Sequence, residues 1–223
     1  MTTVFLHGLG QTSTSWKKTI SLLPEDGDCR CPELSQLLGG KQASFQNLYA
    51  GLEEYCSQIP GTFRLCGLSL GGVLALQYAA DHPDKLHSLV LIGAQYRSPK
   101  LLLALQNLVF RVMKDESFQA LGYSKEDFIR LCKTTGQVDL TARLSGICCP
   151  TLVLCGEDDK PNKKAALGLG KGIPGSELHF IPDSGHQVNL DNPRGLADLL
   201  QDFQGMGSSH SPSCTDQPIS TNK

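Results

Sequence analysis

Short runs of β-branched and aliphatic residues alternate along this chain with segments whose apolar positions recur every three or four residues. Thr3 to Leu6 reads as a first strand. A helix follows around Thr14 to Leu23, with Trp16, Ile20 and Leu23 on one face and Pro24 stopping it. Asp28 to Pro32 is read as a short strand. Ser44 stands as the N-cap of a helix with the apolar stripe Phe45, Leu48, Leu52, Tyr55 and Cys56. Phe63 to Cys66 is a strand that runs into a glycine-rich turn and then a helix carrying Val73, Leu74, Leu76 and Ala80. Leu89 to Ile92, Pro150 to Cys155 and Glu177 to Ile181 are further strands, with a helix near Lys163 to Lys171. The final helix takes Asn192 or Asp191 as its cap and Pro193 in its first turn. Leu196, Leu199, Leu200 and Phe203 face inward.

Strands that are apolar throughout and alternate with amphipathic helices predict an α/β fold, a mostly parallel sheet covered on both faces. Two stretches depart from the alternation. Residues 98–140 are helical by pattern, rich in leucine and without an obvious strand; from about Gly205 the chain loses its apolar residues and reads as a disordered tail. The expected division is a core of residues 1–97 and 141–204, a helical insertion at 98–140 and a tail at 205–223. A length of 223 residues suits one such domain around a single large core.

Charge narrows the picture. A formal net charge of −2 and a pI near 6.3 argue against a nucleic-acid surface or a polybasic membrane patch. No run approaches the roughly 18 apolar residues of a membrane span. The longest apolar tract, Leu101 to Met113, is broken by Gln106, Asn107 and Arg111. The opening MTTVFLHGLG lacks the basic and apolar regions of a secretory leader, so a cytoplasmic location is expected. The nine cysteines include no CxxC pair, which argues against zinc. Cys66, Cys132 and Cys155 sit in apolar runs as small hydrophobes, and Cys29 with Cys31 and the vicinal Cys148 and Cys149 are read as incidental.

The turn Gly67-Leu68-Ser69-Leu70-Gly71 follows a strand and opens a helix, the context that a G-x-S-x-G nucleophile elbow requires. The serine must project from the sheet edge, and flanking glycines remove the Cβ atoms that would collide. The helix N-terminus behind it offers partial positive charge to a developing oxyanion. A serine needs a base. Of six histidines, His186 alone follows the last strand in a polar loop. His210 lies in the tail, His179 in a strand, His82 and His87 on a surface loop, and His7 at the end of the first strand. The acid is expected between serine and histidine in chain order. Glu157, Asp158 and Asp159 crowd the loop after Leu152 to Cys155; Asp159 is preferred, with Asp158 the alternative and helix capping the competing role. His7-Gly8-Leu9-Gly10 suits the oxyanion hole, whose donors are assigned to the backbone amides of Leu9 and Leu70, with His7 a buttress.

VFLHGLG with Trp16, then LCGLSLGG, PTLVLCGEDD and PDSGHQVNLDNP, resemble the α/β-hydrolase superfamily in family order over nearly the whole chain except the tail. The resemblance implies an α/β-hydrolase fold, and the triad Ser69, Asp159 and His186. Because the chain begins near the oxyanion strand, a reduced sheet of about six strands is expected. Residues 98–140 would be a short helical cap, its stripe Leu101, Leu102, Leu105, Val109, Val112 and Met113 packing onto the core or lining an acyl pocket. Arg97, Lys100, Arg111 and Lys114 are more simply helix-surface charge than carboxylate ligands.

Within the superfamily the chain looks like small serine esterases and like the menaquinone-pathway lyase that makes 2-succinyl-6-hydroxy-2,4-cyclohexadiene-1-carboxylate. That lyase group carries an arginine where this chain has Val73. The resemblance implies hydrolysis of small to medium carboxylic esters, with no metal and no cofactor, acting on a small-molecule ester and on neither nucleic acid nor membrane. The alternatives are a lyase or C–C hydrolase using the same triad, and a non-catalytic hydrolase-fold binding protein. Natural substrate and oligomeric state have no signature in the sequence.

Overall fold

The computed structural model describes residues 1–24, 27–97 and 118–206. Its strands are β1 (Thr2–Leu6), β2 (Asp28–Arg30), β3 (Phe63–Leu68), β4 (Leu86–Ile92), β5 (Thr151–Gly156) and β6 (Glu177–Ile181). They form one six-stranded sheet in the order β2-β1-β3-β4-β5-β6, with every neighbouring pair parallel. The helices described are α1 (Lys17–Ile20), α2 (Leu34–Leu37), α3 (Phe45–Ser57), α4 (Leu70–Asp81), α5 (Lys125–Thr135), α6 (Lys160–Gly172), α7 (Val188–Asp191) and α8 (Pro193–Met206).

The central strands β1, β3, β4 and β5 are largely apolar because both faces are buried, and their period of two sorts their side chains between two cores, while the edge strands β2 and β6 stay partly exposed. Val4, Leu6, Leu65, Leu89, Leu91 and Val153 face the core closed by α3 to α6, through residues such as Leu48, Leu74, Leu131 and Leu169. Phe5, Cys66, Leu68, Val90, Ile92 and Leu154 face the other, closed by Trp16, Val188, Leu196 and Leu200. Each such side chain contributes about 1.5–3 kcal/mol on leaving water.

Three boundaries differ most from the sequence pattern. The helix expected from Thr14 to Leu23 is a 3₁₀ turn at Ser13–Trp16 followed by α1. Packing decides this: Trp16 is fully buried with its ring 5.1 Å from Phe5, and the Ser13 amide is held by Glu33 at 2.9 Å. β4 starts at Leu86, ahead of the all-apolar run. α6 starts at Lys160 and carries Pro161 in its first turn, where the missing N–H would have had no partner.

Of the 98–140 insertion, residues 98–117 lie outside the described residues, and with them the stripe Leu101 to Met113 and Lys100, Arg111 and Lys114. Its described part carries α5, capped by the Ser124 side chain, which accepts from the Asp127 amide at 3.1 Å. Of the expected tail, 207–223 lie outside the described residues.

The topology places the site. From β1 the chain moves outward to β2, then returns past β1 to build β3 through β6 on the other side. The connections leave β1 and β3 in opposite directions, so a crevice opens at the carboxyl ends of these two strands. His7-Gly8 and Ser69 stand at those ends.

Candidate active site

β3 passes into α4 through the single residue Ser69. Its backbone sits at φ 54°, ψ −114°, a conformation that costs of order 1–3 kcal/mol for a residue with a Cβ. The turn is so tight that a Cβ on Gly67 would run into the Gly71 carbonyl, and one on Gly71 into the Leu6 carbonyl of β1. The glycines of the motif are therefore a steric requirement of the elbow. The Ser69 amide donates to the Ile92 carbonyl at 2.9 Å, which ties the elbow to the end of β4.

Gly93, the residue after Ile92, marks where the other loops arrive. A methyl group on it would lie 3.1 Å from His186 Nδ1 and 3.3 Å from Asp159 Oδ2. Those two side chains meet each other at 2.8 Å. The carboxylate oxygen can only accept, so Nδ1 carries the hydrogen and Nε2 is left with its lone pair. Asp159 is buried, while the His186 ring is 40% exposed. Asp158 and Glu157 are exposed, so of the acidic residues in this loop Asp159 is the one brought to His186. Asp159 stands at the N-cap position of α6 but makes no side-chain cap bond, its carboxylate being turned to the imidazole.

Asn162, in the first turn of α6, donates Nδ2 to both Asp159 oxygens at 2.8 and 2.9 Å, and its Oδ1 accepts from Gln95 Nε2 at 2.5 Å. Burial pushes the Asp159 carboxyl up. The hydrogen bonds from His186 and Asn162 outweigh that and hold it below the ordinary carboxylate value. The His186 loop is braced from behind. The Gly185 amide donates to Asp191 Oδ2 at 2.9 Å, and the Asp158 amide to the Ser184 carbonyl at 2.9 Å. Of the two expected caps for α8, Asn192 caps it by accepting from the Gly195 amide at 2.9 Å, and Asp191 serves the histidine loop instead.

The loop after β1 lies against the elbow: a methyl on Gly8 would lie 3.4 Å from Ser69 Cβ. His7 is buried, its Nδ1–H donating to the Gly8 carbonyl at 2.9 Å. Its Nε2 accepts from the Leu34 amide at 3.1 Å and lies 2.9 Å from Glu33 Oε1, so a proton there would trade the amide for the carboxylate. The Gly8 amide is spent on Gln11 Oε1 at 3.2 Å. Among the described residues, the amides of Leu9 and Leu70 have no hydrogen-bond acceptor.

Elsewhere, His82 pairs with Glu53 at 2.9 Å and His179 lies exposed 3.6 Å from Glu177, while His210 is outside the described residues. Val73 is buried and Arg97 exposed. Cys56, Cys132 and Cys155 are buried free thiols that burial pushes up to about 12. Among the described residues, no group of three His, Cys, Asp or Glu side chains could hold a metal ion, and no helix is long and apolar enough to cross a membrane. Sequence reasoning missed Asn162, Gln95, Gln11 and Asn189. Asn162 and Asn189 lie three residues beyond Asp159 and His186, and Gln11 follows Gly10, but a lone amide side chain beside a turn carries no mark of its distant partner, and Gln95 lies near none of the motifs.

A family model described as the alpha/beta hydrolase family matches residues 3–199. The chain is 25% identical to a 2-succinyl-6-hydroxy-2,4-cyclohexadiene-1-carboxylate synthase of Serratia proteamaculans, over 90% of this chain and 91% of that one. It is 24% identical to a pimeloyl-[acyl-carrier protein] methyl ester esterase of Aeromonas hydrophila, over 91% and 94%. Among solved structures, a thermophilic esterase from Thermogutta terrifontis superposes with a TM-score of 0.75 at 19% identity, over 93% of this chain and 90% of that one.

Proposed function

The chain belongs to the alpha/beta hydrolase family, and on that premise we propose that it is a serine hydrolase cleaving carboxylic esters of small to medium acyl groups. Ser69 Oγ attacks the carbonyl while His186 Nε2 takes its proton, and Asp159 holds the imidazole in the tautomer with Nδ1–H and stabilises its charged form. The amides of Leu9 and Leu70 receive the oxyanion, with the N-terminus of α4 behind them. Collapse of the tetrahedral intermediate breaks the ester C–O bond, and the proton on Nε2 goes to the departing alkoxide. His186 then deprotonates water, which attacks the acyl-enzyme and frees the acid and Ser69.

The observation that carries this reading is the Asp159–His186 pair at 2.8 Å, seated against Gly93, next to the Ile92 carbonyl that holds the Ser69 amide. The methyl ester esterase named among the relatives supports the choice of ester. A second reading, the lyase, draws on the Serratia relative. Against it stands Val73 at the position where that group carries an arginine for its acidic substrate.

The test is a p-nitrophenyl ester panel from acetate to octanoate, run beside fluorophosphonate labelling. Turnover with labelling at Ser69, both abolished by Ser69→Ala, is the expected result. A Ser69→Ala protein that kept its turnover would end the proposal. Activity confined to elimination from an acidic substrate would replace it with the second reading.

A further inference from the structure

Two loops that must hold their places for this chemistry are joined by one buried contact between residues 178 positions apart in sequence. Gln11 closes the loop after β1, and Asn189 lies in α7, three residues beyond His186. Gln11 is 6% exposed and Asn189 not at all. Gln11 Nε2 donates to Asn189 Oδ1 at 3.0 Å, and Asn189 Nδ2 donates back to Gln11 Oε1 at 3.3 Å. The same Gln11 oxygen accepts from the Gly8 amide at 3.2 Å and from Ser15 Oγ at 3.3 Å; Asn189 Nδ2 also reaches the Ser15 carbonyl at 3.3 Å.

The arrangement has two consequences. Because Gln11 occupies the Gly8 amide, that group cannot serve an oxyanion, and the next amide, that of Leu9, remains for it. Because the paired amides are buried, separating the loops would leave polar groups unpaired away from water, which keeps such separation rare. A planar amide pair also fixes distance and angle together, which an apolar contact does not.

We propose that Gln11 and Asn189 are positioning residues that lock the oxyanion loop to the histidine loop, so that the donor and the base are set relative to each other as well as to Ser69. This rests on the ester-hydrolase reading above. The pair touches no reacting atom; it acts through the Gly8–Leu9 peptide and the backbone that carries His186. Its loss therefore lowers kcat and leaves KM nearly unchanged, and losing either partner breaks the same lock.

The experiment is a double-mutant cycle with Gln11→Met, Asn189→Leu and the double variant, near-isosteric changes that remove the amides. Thermal midpoints, kcat and KM on p-nitrophenyl butyrate and the rate of fluorophosphonate labelling are read for each. Each single change is expected to lower kcat by about 10–100-fold with KM within about threefold, and the double variant to be no slower than the worse single one. Should either apolar variant fail to fold, Gln11→Glu serves in its place, since it keeps the acceptor for Gly8 and loses the donor to Asn189; it is expected to fall in kcat alike. Folded variants that keep wild-type kcat, or kcat losses that multiply in the double variant, overturn the lock. A wild-type protein that neither labels at Ser69 nor hydrolyses esters overturns the ester reading and the lock with it. Wild-type labelling with silent variants overturns the lock alone.

Discussion

Asn162→Ala removes one of the two side chains whose hydrogen bonds favour the charged form of Asp159. In the folded protein the Asn162 amide donates to both oxygens of a carboxylate that is 4% exposed, at 2.8 and 2.9 Å. A hydrogen bond to a charged acceptor contributes about 1.5–3 kcal/mol, and the packing lost with a small side chain adds about 0.5–1 kcal/mol. The variant is therefore expected to lose about 2–4 kcal/mol at pH 7. The pH dependence separates the two parts. The carboxyl of Asp159 is held below the ordinary aspartate value of 3.8 in the folded chain. A depressed carboxyl contributes stability that is fully present above its unfolded pKa and is lost as pH falls through the folded value. Removing the amide lets the folded value rise, so the gap between wild type and variant narrows below 3.8, by about 1.4 kcal/mol for each unit of lost depression. Urea midpoints at pH 7, 5 and 3 measure this directly. A gap at pH 3 equal to that at pH 7 would show that Asn162 acts by packing alone and refute the charge argument.

Three further outcomes follow from the same geometry. Asp159→Asn keeps the shape of the acid but cannot hold the imidazole in the required tautomer, so kcat on p-nitrophenyl butyrate should fall by roughly 10³–10⁴-fold. Asp158→Asn, at an exposed position, should stay within about twofold; equal losses in the two variants would reject the assignment of the acid. Ser69→Gly relieves the strain at φ 54°, so its unfolding midpoint should exceed that of Ser69→Ala by an amount equivalent to about 1 kcal/mol. A Ser69→Ala protein as stable as Ser69→Gly would mean that the elbow stores no strain. Gly71→Ala drives a Cβ into the Leu6 carbonyl of β1, and the loss of at least about 3 kcal/mol should show as a lowered thermal midpoint or insoluble expression.

Local chemistry makes much of this protein readable from its residues alone. Leu65, Cys66, Leu89, Val90, Leu152 and Val153 are strand residues buried on one face or the other, and that double burial is why their runs are apolar without alternation. Gly67 and Gly71 were equally legible, since a tight turn excludes side chains through sterics within a few residues. The expected strands all appeared, with boundaries shifted by up to three residues at the start of β4. The helix at Thr14 was broken because Trp16 answers to Phe5 rather than to its neighbours in sequence.

What the tertiary structure alone decided is which groups touch. Asp158 and Asp159 are adjacent and chemically identical, and only the close of β5 against the Ser184–Gly185 loop turns one inward and leaves the other in water. Asn162 and Gln95 meet across 67 residues and Gln11 and Asn189 across 178, contacts that depend on strand order and register. Propensity and periodicity are carried by neighbours along the chain and can be read there. Pairings between distant segments come into existence only when the sheet closes, so no local pattern records them.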